Sequence, residues 1–126
     1  MQLFLDTAHI KEIEEALTWG FIDGVTTNPS HVAKTQQRPS ELYPRIVKMV
    51  DGPVSLETVS LKAPEIVDEA LRLAEYGDNV VVKVPVMKEG LMAVEALSKR
   101  GIKTNVTVCY SPLQALLAAK AGASYI

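Results

Sequence analysis

The chain has 126 residues, of which 48% are hydrophobic and 22% charged, a composition that fits one soluble globular domain and excludes a disordered polypeptide. Its formal net charge is −2, so no basic excess is available to neutralise phosphates, and nucleic acid is not expected as a partner. The single cysteine, Cys109, excludes an intrachain disulfide framework. Only two histidines are present, His9 and His31, which we expect at the surface or at helix caps, and no metal site is expected.

The chain also lacks the sequence features of membrane or exported proteins. No apolar run approaches the roughly 20 residues of a membrane-spanning helix, and the first residues do not read as a signal peptide. A lone cysteine fits a reducing compartment. We therefore expect a cytoplasmic protein with no membrane partner.

Short apolar runs alternate with helical patterns along the whole chain, and glycines separate them at fairly regular intervals. Strands are predicted at Leu3 to Asp6, Val25 to Thr27, Val54 to Glu57, Val80 to Val84 and Lys103 to Val108, and a sixth opens at Ser124. The fourth run is almost continuously apolar, which is typical of a parallel strand buried on both faces. The pattern predicts a single α/β domain over residues 1–126.

Five helices are predicted between these strands. The second, near Leu42 to Val50, is only weakly indicated, whereas the first, third and fourth each show an apolar stripe. The fifth begins at Pro112 after a serine N-cap. Its three leucines, Leu113, Leu116 and Leu117, are expected to face the interior.

Alternating strands and helices fit either an open doubly wound sheet or a closed eight-stranded barrel. An open nucleotide-binding sheet normally has glycines in its first strand-to-helix turn, whereas residues 6–9 read Asp-Thr-Ala-His. The (β/α)8 TIM-barrel type is therefore favoured. Such a barrel needs about 200 residues or more, so we expect an incomplete barrel with about five β-α units and the start of the sixth strand.

Polar side chains lie at the carboxyl end of each predicted strand, where a barrel gathers its catalytic groups. They are Asp6, Asn28, Glu57, Lys83, Asn105 and Thr107. The last two are two residues apart in one strand, so their side chains are expected on the same face of the sheet.

Lys83 gives the most informative signal, because it lies between two valines in a strand predicted to be covered on both faces. Dehydration disfavours the charged form of an amine, and a neutral amine can attack a ketone or aldehyde to form a Schiff base. The alternative is that Lys83 pairs with Asp6 or Glu57 and only closes the interior. Asp6 has an alternative of its own, as the cap of the helix that follows it.

Five segments carry more specific information, in order along the chain. They are Leu3-Phe-Leu-Asp-Thr-Ala8, Asp23-Gly-Val-Thr-Thr-Asn-Pro29, Val82-Lys-Val-Pro85, Asn105-Val-Thr107 and Gln114-Ala-Leu-Leu-Ala-Ala-Lys-Ala-Gly-Ala-Ser-Tyr125. Together they closely resemble the small-subunit transaldolases and their relatives, the fructose 6-phosphate aldolases. Members of that family are (β/α)8 barrels that use a Schiff-base lysine, and the resemblance implies that no metal or organic cofactor is needed.

The resemblance also implies catalytic roles for four residues. Lys83 matches the lysine that condenses with the ketose carbonyl. Asp6 matches the acid/base that takes the proton from the hydroxyl whose carbon becomes the released aldehyde. Glu57 and Thr107 match the pair that holds a catalytic water.

Substrate binding is implied for three further residues. Asn28 and Asn105 match amides that hydrogen-bond hydroxyls of the three-carbon dihydroxyacetone fragment, and Thr26 is expected close enough to assist. Glu57 favours transaldolase, because the aldolase branch typically has glutamine there. The implied reaction moves a dihydroxyacetone unit from fructose 6-phosphate or sedoheptulose 7-phosphate to an aldose phosphate, in the pentose phosphate pathway. The alternatives are a fructose 6-phosphate aldolase-type lyase and an inactive oligomerising barrel fragment.

The resemblance is interrupted at Ile126. Similar proteins continue into a segment with the serine and arginine that bind substrate phosphate, followed by two further strands. Either the chain is part of a longer product, or it closes its sheet edges by forming a homo-oligomer. The expected partners are sugar-phosphate substrates and further copies of the chain, and we expect weak activity without the arginine contact to phosphate.

Overall fold

A computed structural model describes all 126 residues, which form five strands, six helices and the loops between them. The strands are β1 (Phe4–Asp6), β2 (Gly24–Thr26), β3 (Val54–Glu57), β4 (Val80–Pro85) and β5 (Thr104–Thr107). The helices are α1 (Ile10–Leu17), α2 (Pro29–Lys34), α3 (Pro39–Met49), α4 (Ala63–Ala74), α5 (Lys88–Ser98) and α6 (Pro112–Ala121). None of these helices combines the length and the apolar character that crossing a membrane requires.

The five strands belong to one sheet, in which their order is the same as their order in the chain. Strands β1 and β2, β2 and β3, and β4 and β5 pair in parallel. A doubly wound sheet reverses its strand order part-way along, whereas right-handed crossovers that always add the next strand on the same side build a barrel wall. A parallel bridge between Asn105 and Tyr125 adds the start of a sixth strand beside β5. The prediction of an α/β chain with TIM-barrel-type units is confirmed.

Two differences from the prediction concern a helix and the end of a strand. Helix α2 was not predicted, although Asn28 and Pro29 occupy its N-cap and first helical position, the places where those residue types start helices. Strand β5 ends one residue early, because Val108 has a φ of 60°. A β-branched residue rarely adopts this left-handed conformation, which cannot continue an extended strand.

The chain divides into two compact units, which are described separately. The N-terminal unit comprises Met1–Glu57 and Tyr76–Val80. Its strands β2 and β3 place Val25 opposite Val54, and both side chains are fully buried. Helix α1 contributes Ile13 to this core, from the apolar stripe that the sequence predicts, and α3 contributes Ile46.

Asn79 joins separate parts of the N-terminal unit through its side chain. Its Nδ2 group, which has two hydrogens to donate, lies within hydrogen-bond distance of three carbonyl oxygens, those of Val47 at 3.2 Å, Val50 at 2.6 Å and Gly52 at 3.0 Å. These carbonyls lie at the end of α3 and in the loop that leads into β3. A single amide group therefore fixes the approach to β3, whose last residue is Glu57.

We expect the substitution Asn79→Asp to lower the free energy of unfolding by about 1–3 kcal/mol, because it replaces the donor with an acceptor and leaves partly buried carbonyls without their hydrogen bonds. Urea denaturation of the parent and the variant measures this difference. Asp78→Asn, at the exposed neighbouring position, is the control and should change stability by less than about 0.5 kcal/mol. Equal stability of the Asn79→Asp variant and the parent would contradict the assignment.

The C-terminal unit comprises Thr58–Glu75 and Val81–Ile126. Its loop after β3 is held by α4, because the carboxylate of Glu69 accepts hydrogen bonds from the backbone amides of Val59 and Ser60 at 3.0–3.1 Å. Glu89 of α5 accepts from the amide of Ala63 at 2.9 Å, so it caps the first turn of α4 from a neighbouring helix. The first set of contacts joins α4 to the loop after β3, and the second joins α4 to α5.

The prediction that the leucines of α6 face inward is wrong. Leu113, Leu116 and Leu117 are 66%, 64% and 49% exposed, and the helix buries only Ala118. The less exposed side of α6 consists mainly of alanines, Ala115, Ala118 and Ala121. Just after the helix, a Cβ added at Gly122 would lie 2.3 Å from Oγ of Ser98 in α5. The chain after α6 thus approaches α5 closely through small residues, which the apolar count of the sequence does not reveal.

Candidate active site

Asp6 and Thr26 form the centre of the candidate site in the N-terminal unit. They lie opposite each other at the carboxyl ends of β1 and β2. Thr26 Oγ1 donates a hydrogen bond of 2.9 Å to Oδ1 of Asp6. The side chain of Asp6 is 62% exposed, so this carboxylate is held by its neighbour and still accessible to a small molecule. Thr26 is therefore in direct hydrogen-bond contact with Asp6.

The alternative that Asp6 caps the following helix is wrong. No side chain at the N-cap position of α1 accepts a hydrogen bond from the helix. The turn after β1 is instead organised by Thr7, whose Oγ1 accepts from the backbone amide of His9 at 3.1 Å and donates to the carboxylate of Glu12. With the turn stabilised by Thr7, Asp6 is available for contacts at the end of the sheet.

Asn28 follows β2 and has a structural role that the sequence analysis does not predict. Its Oδ1 accepts a hydrogen bond of 2.9 Å from the backbone amide of His31, which makes it the N-cap of α2. The side chain is half-buried. Because the cap uses the carbonyl oxygen, the Nδ2 group is the part of the amide that can donate to a ligand hydroxyl.

Glu57 is the last residue of β3 and is half-buried. Side chains alternate along a strand, so Glu57 is on the same face as Ser55, which lies opposite Thr26. Thr26 in turn lies opposite Asp6. The register therefore assigns the two carboxylates to one face of the sheet within the N-terminal unit.

The candidate site of the C-terminal unit is built on Lys83 in β4. The flanking residues Val82 and Val84 are fully buried, whereas Lys83 is half-buried, so the strand presents Lys83 on the opposite face from its core valines. Its carbonyl oxygen accepts a hydrogen bond of 3.0 Å from the amide of Thr58, and its Cα partner in β5 is Asn105. The backbone that carries the amine is thus fixed from both sides.

Asn105 and Thr107 complete this second cluster. Asn105 lies directly opposite Lys83, and Thr107 lies opposite Pro85, two residues further along the same pair of strands. Both side chains are half-buried, whereas Thr104 and Val106 between them are buried. The alternation confirms that Asn105 and Thr107 share a face, and the register adds Lys83 to it.

Comparison with known proteins identifies the family. The model of the Transaldolase/Fructose-6-phosphate aldolase family matches residues 3–126. The chain belongs to this family. It is 56% identical over its whole length to a "Probable transaldolase" of Dictyoglomus turgidum and 58% identical to one of Aquifex aeolicus. The chain spans 59% and 58% of the lengths of these two curated relatives.

A solved structure shows the same fold. A protein from Burkholderia cenocepacia J2315, described as a "putative phosphonomutase", superimposes with a TM-score of 0.70 over 98% of this chain and 67% of its own. Sequence identity is only 15%, so this likeness concerns the fold alone. The chemistry of this transaldolase/aldolase-family chain has to be argued from its own side chains.

In this family member, the environment of His31 differs from the predicted one. Its Nε2 lies 3.4 Å from Oδ2 of Asp6, and its side chain is only 25% exposed. The expected surface or capping role does not describe it, since its amide is capped by Asn28 and its ring contacts a carboxylate. The pair Asn28-Pro29 could have indicated this position, because a helix that starts there puts its first turn beside the end of β2.

Proposed function

We propose that the protein transfers a dihydroxyacetone unit between sugar phosphates through a Schiff base on Lys83, as a transaldolase of the pentose phosphate pathway. The family match and the name shared by the two relatives support an aldol-type enzyme. The observation that carries the mechanism is the placement of Lys83, a half-buried amine on a strand face shared with Asn105 and Thr107. A lysine on a fixed backbone next to an amide and a hydroxyl suits covalent capture of a polyhydroxy ketone.

The proposed reaction begins at the amine. Nζ of Lys83 attacks the ketose carbonyl carbon to give a carbinolamine, which loses water and becomes a protonated imine. The bond between the third and fourth sugar carbons then breaks, and its electron pair moves into the imine to give an enamine. The released aldehyde leaves, the enamine carbon attacks the acceptor aldehyde, and hydrolysis of the new imine returns the free lysine.

The carboxylates are assigned the proton transfers. Asp6 takes the proton of the hydroxyl on the carbon that becomes the aldehyde, and returns it when the acceptor adds. Its hydrogen bond from Thr26 supports this assignment, because it orients one carboxylate oxygen and leaves an exposed side chain for the substrate. Glu57 and Thr107 are proposed to hold the water through which protons reach the carbinolamine.

The amides are proposed to bind the hydroxyls of the three-carbon fragment. Asn105 lies opposite Lys83 in the sheet, which supports a role for its amide in binding the hydroxyls close to the imine. Asn28 contributes its Nδ2 group, since its carbonyl oxygen is engaged by α2. Both are uncharged donors, which match sugar hydroxyls without opposing the positive charge of the imine.

Borohydride trapping tests the proposal. The 126-residue chain is incubated with fructose 6-phosphate and sodium borohydride, and intact and peptide masses are measured. We expect one reduced three-carbon adduct, located on Lys83, because borohydride converts the imine into a stable secondary amine. Incubation without sugar is the control. An unchanged mass, or an adduct spread over the exposed lysines, would overturn the proposal.

Glu57 and the name of the relatives favour transfer over simple cleavage. An assay of the same protein with and without an acceptor sugar distinguishes the two reactions. With erythrose 4-phosphate as acceptor, we expect sedoheptulose 7-phosphate to form together with glyceraldehyde 3-phosphate. Sustained release of glyceraldehyde 3-phosphate at an equal rate without an acceptor would instead indicate a fructose 6-phosphate aldolase.

A further inference from the structure

His31 makes a polar contact that the proposed mechanism does not use. Its ring nitrogen Nε2 is 3.4 Å from Oδ2 of Asp6, while Oδ1 of the same carboxylate accepts from Thr26 at 2.9 Å. Each oxygen of this carboxylate thus has its own neighbour within the N-terminal unit. The contact of His31 is long for a hydrogen bond, and the side chain of Asp6 remains 62% exposed.

The surroundings of His31 explain why its ring is held near Asp6. Its backbone amide is bound by Asn28, and the next residue, Val32, is 5% exposed and anchors α2 in the core. The side chain itself is three-quarters buried. Such a side chain has few alternative rotamers, so the direction of Nε2 is set by the start of α2.

The chemistry of the pair fixes which atom carries the hydrogen. An ionised carboxylate can only accept hydrogen bonds, and a neutral imidazole has one donor and one acceptor nitrogen. An Nδ1–H tautomer would turn the lone pair of Nε2 towards Oδ2, which is unfavourable. A donor at Nε2 is therefore required whenever Asp6 is ionised, and the only charged residue near it on its own helix is Lys34, about one turn further along.

We propose that His31 is a positioning residue for Asp6: its Nε2–H group and the hydroxyl of Thr26 fix the orientation of the carboxylate that accepts the sugar hydroxyl proton. This inference rests on the proposed function for its catalytic consequence, and on the structure alone for the contact. Precise placement of a general base contributes to the rate of bond cleavage, not to the binding of the sugar. His31 accordingly acts on kcat.

Substitutions at the two histidines test the catalytic part. We expect His31→Leu to lower kcat roughly tenfold, the factor of about one hydrogen bond, with KM unchanged. His31→Gln, whose amide nitrogen reaches about as far as Nε2, should restore most of the loss. His9→Leu is the matched control, because the His9 side chain makes no capping hydrogen bond. Parent values of kcat for His31→Leu, or no recovery in His31→Gln, would overturn the proposal.

Nitrogen-15 NMR of histidine-labelled protein tests the contact without requiring activity. With only two histidines in the chain, the two imidazole patterns can be assigned by single substitutions. We expect His31 in the Nε2–H form, and we expect Asp6→Asn to shift its resonances and leave those of His9 in place. An Nδ1–H tautomer or an unchanged His31 spectrum would overturn the inference. Absence of the trapped Lys83 adduct would overturn only the proposed function, because the spectra decide the contact separately.

Discussion

Replacing Lys83 with arginine should abolish both borohydride trapping and sugar transfer. Arginine keeps a positive charge and several hydrogen-bond donors at this position, but its guanidinium stays protonated and does not form an imine. The variant therefore removes the nucleophile while retaining the charge of the parent residue. We expect no detectable adduct by mass and no detectable sedoheptulose 7-phosphate in the transfer assay.

Lys103→Arg is the matched control for this experiment. Lys103 is exposed just before β5, and its structural contact is made by its backbone oxygen, which accepts from Val82 at 2.9 Å. This variant should trap and transfer like the parent. Urea denaturation of both variants separates chemistry from folding. An active Lys83→Arg variant would show that the covalent step uses another amine or that no Schiff base forms.

Asp6→Asn should separate Schiff-base formation from bond cleavage. Asparagine retains an oxygen that can accept from Thr26, so the geometry of the contact is kept, but its amide is not a base at neutral pH. Loss of a general base typically costs about 10²–10⁴-fold in rate. We therefore expect a drop of that size in release of glyceraldehyde 3-phosphate, measured by coupled oxidation of a nicotinamide cofactor.

The trapped intermediate gives the second readout for Asp6→Asn. Imine formation on Lys83 does not need this carboxylate in the proposed sequence, so the adduct yield should stay near that of the parent and contain the intact six-carbon sugar. Asp51→Asn, which changes the same charge at an exposed position of the N-terminal unit, is the control and should behave like the parent. A fast Asp6→Asn variant would show that another group accepts the proton.

The strand pattern of the fold could be predicted because most strands are short runs of apolar or β-branched residues bounded by turn residues. The barrel-type sheet was predicted because the first strand-to-helix turn lacks the glycines that an open nucleotide-binding sheet normally has there. Two details needed coordinates. The orientation of α6 depends on close packing of small residues against α5, and the end of β5 depends on the backbone conformation of Val108.

The candidate site was predicted to the level of the strand ends, and not beyond. The positions of Asp6 and Lys83 follow from the rule that catalytic groups lie at the carboxyl ends of parallel strands. The partners of these residues do not, because a hydrogen bond depends on register and side-chain direction. Thr26 lies beside Asp6 through the β1–β2 register. The contact of His31 depends on α2. This helix has only six residues, which are too few to show a helical periodicity in the sequence.

The helix cap at Asn28 has a consequence for selectivity towards ligands. A freely rotating asparagine side chain can present either the oxygen or the nitrogen of its amide to a ligand. Here the oxygen accepts from the start of α2, which fixes the orientation of the amide, so a ligand that accepts from Nδ2 would cost this side chain little rotational entropy. Compounds that present an acceptor should be favoured, and a deoxygenated analogue should be discriminated against before any covalent bond forms.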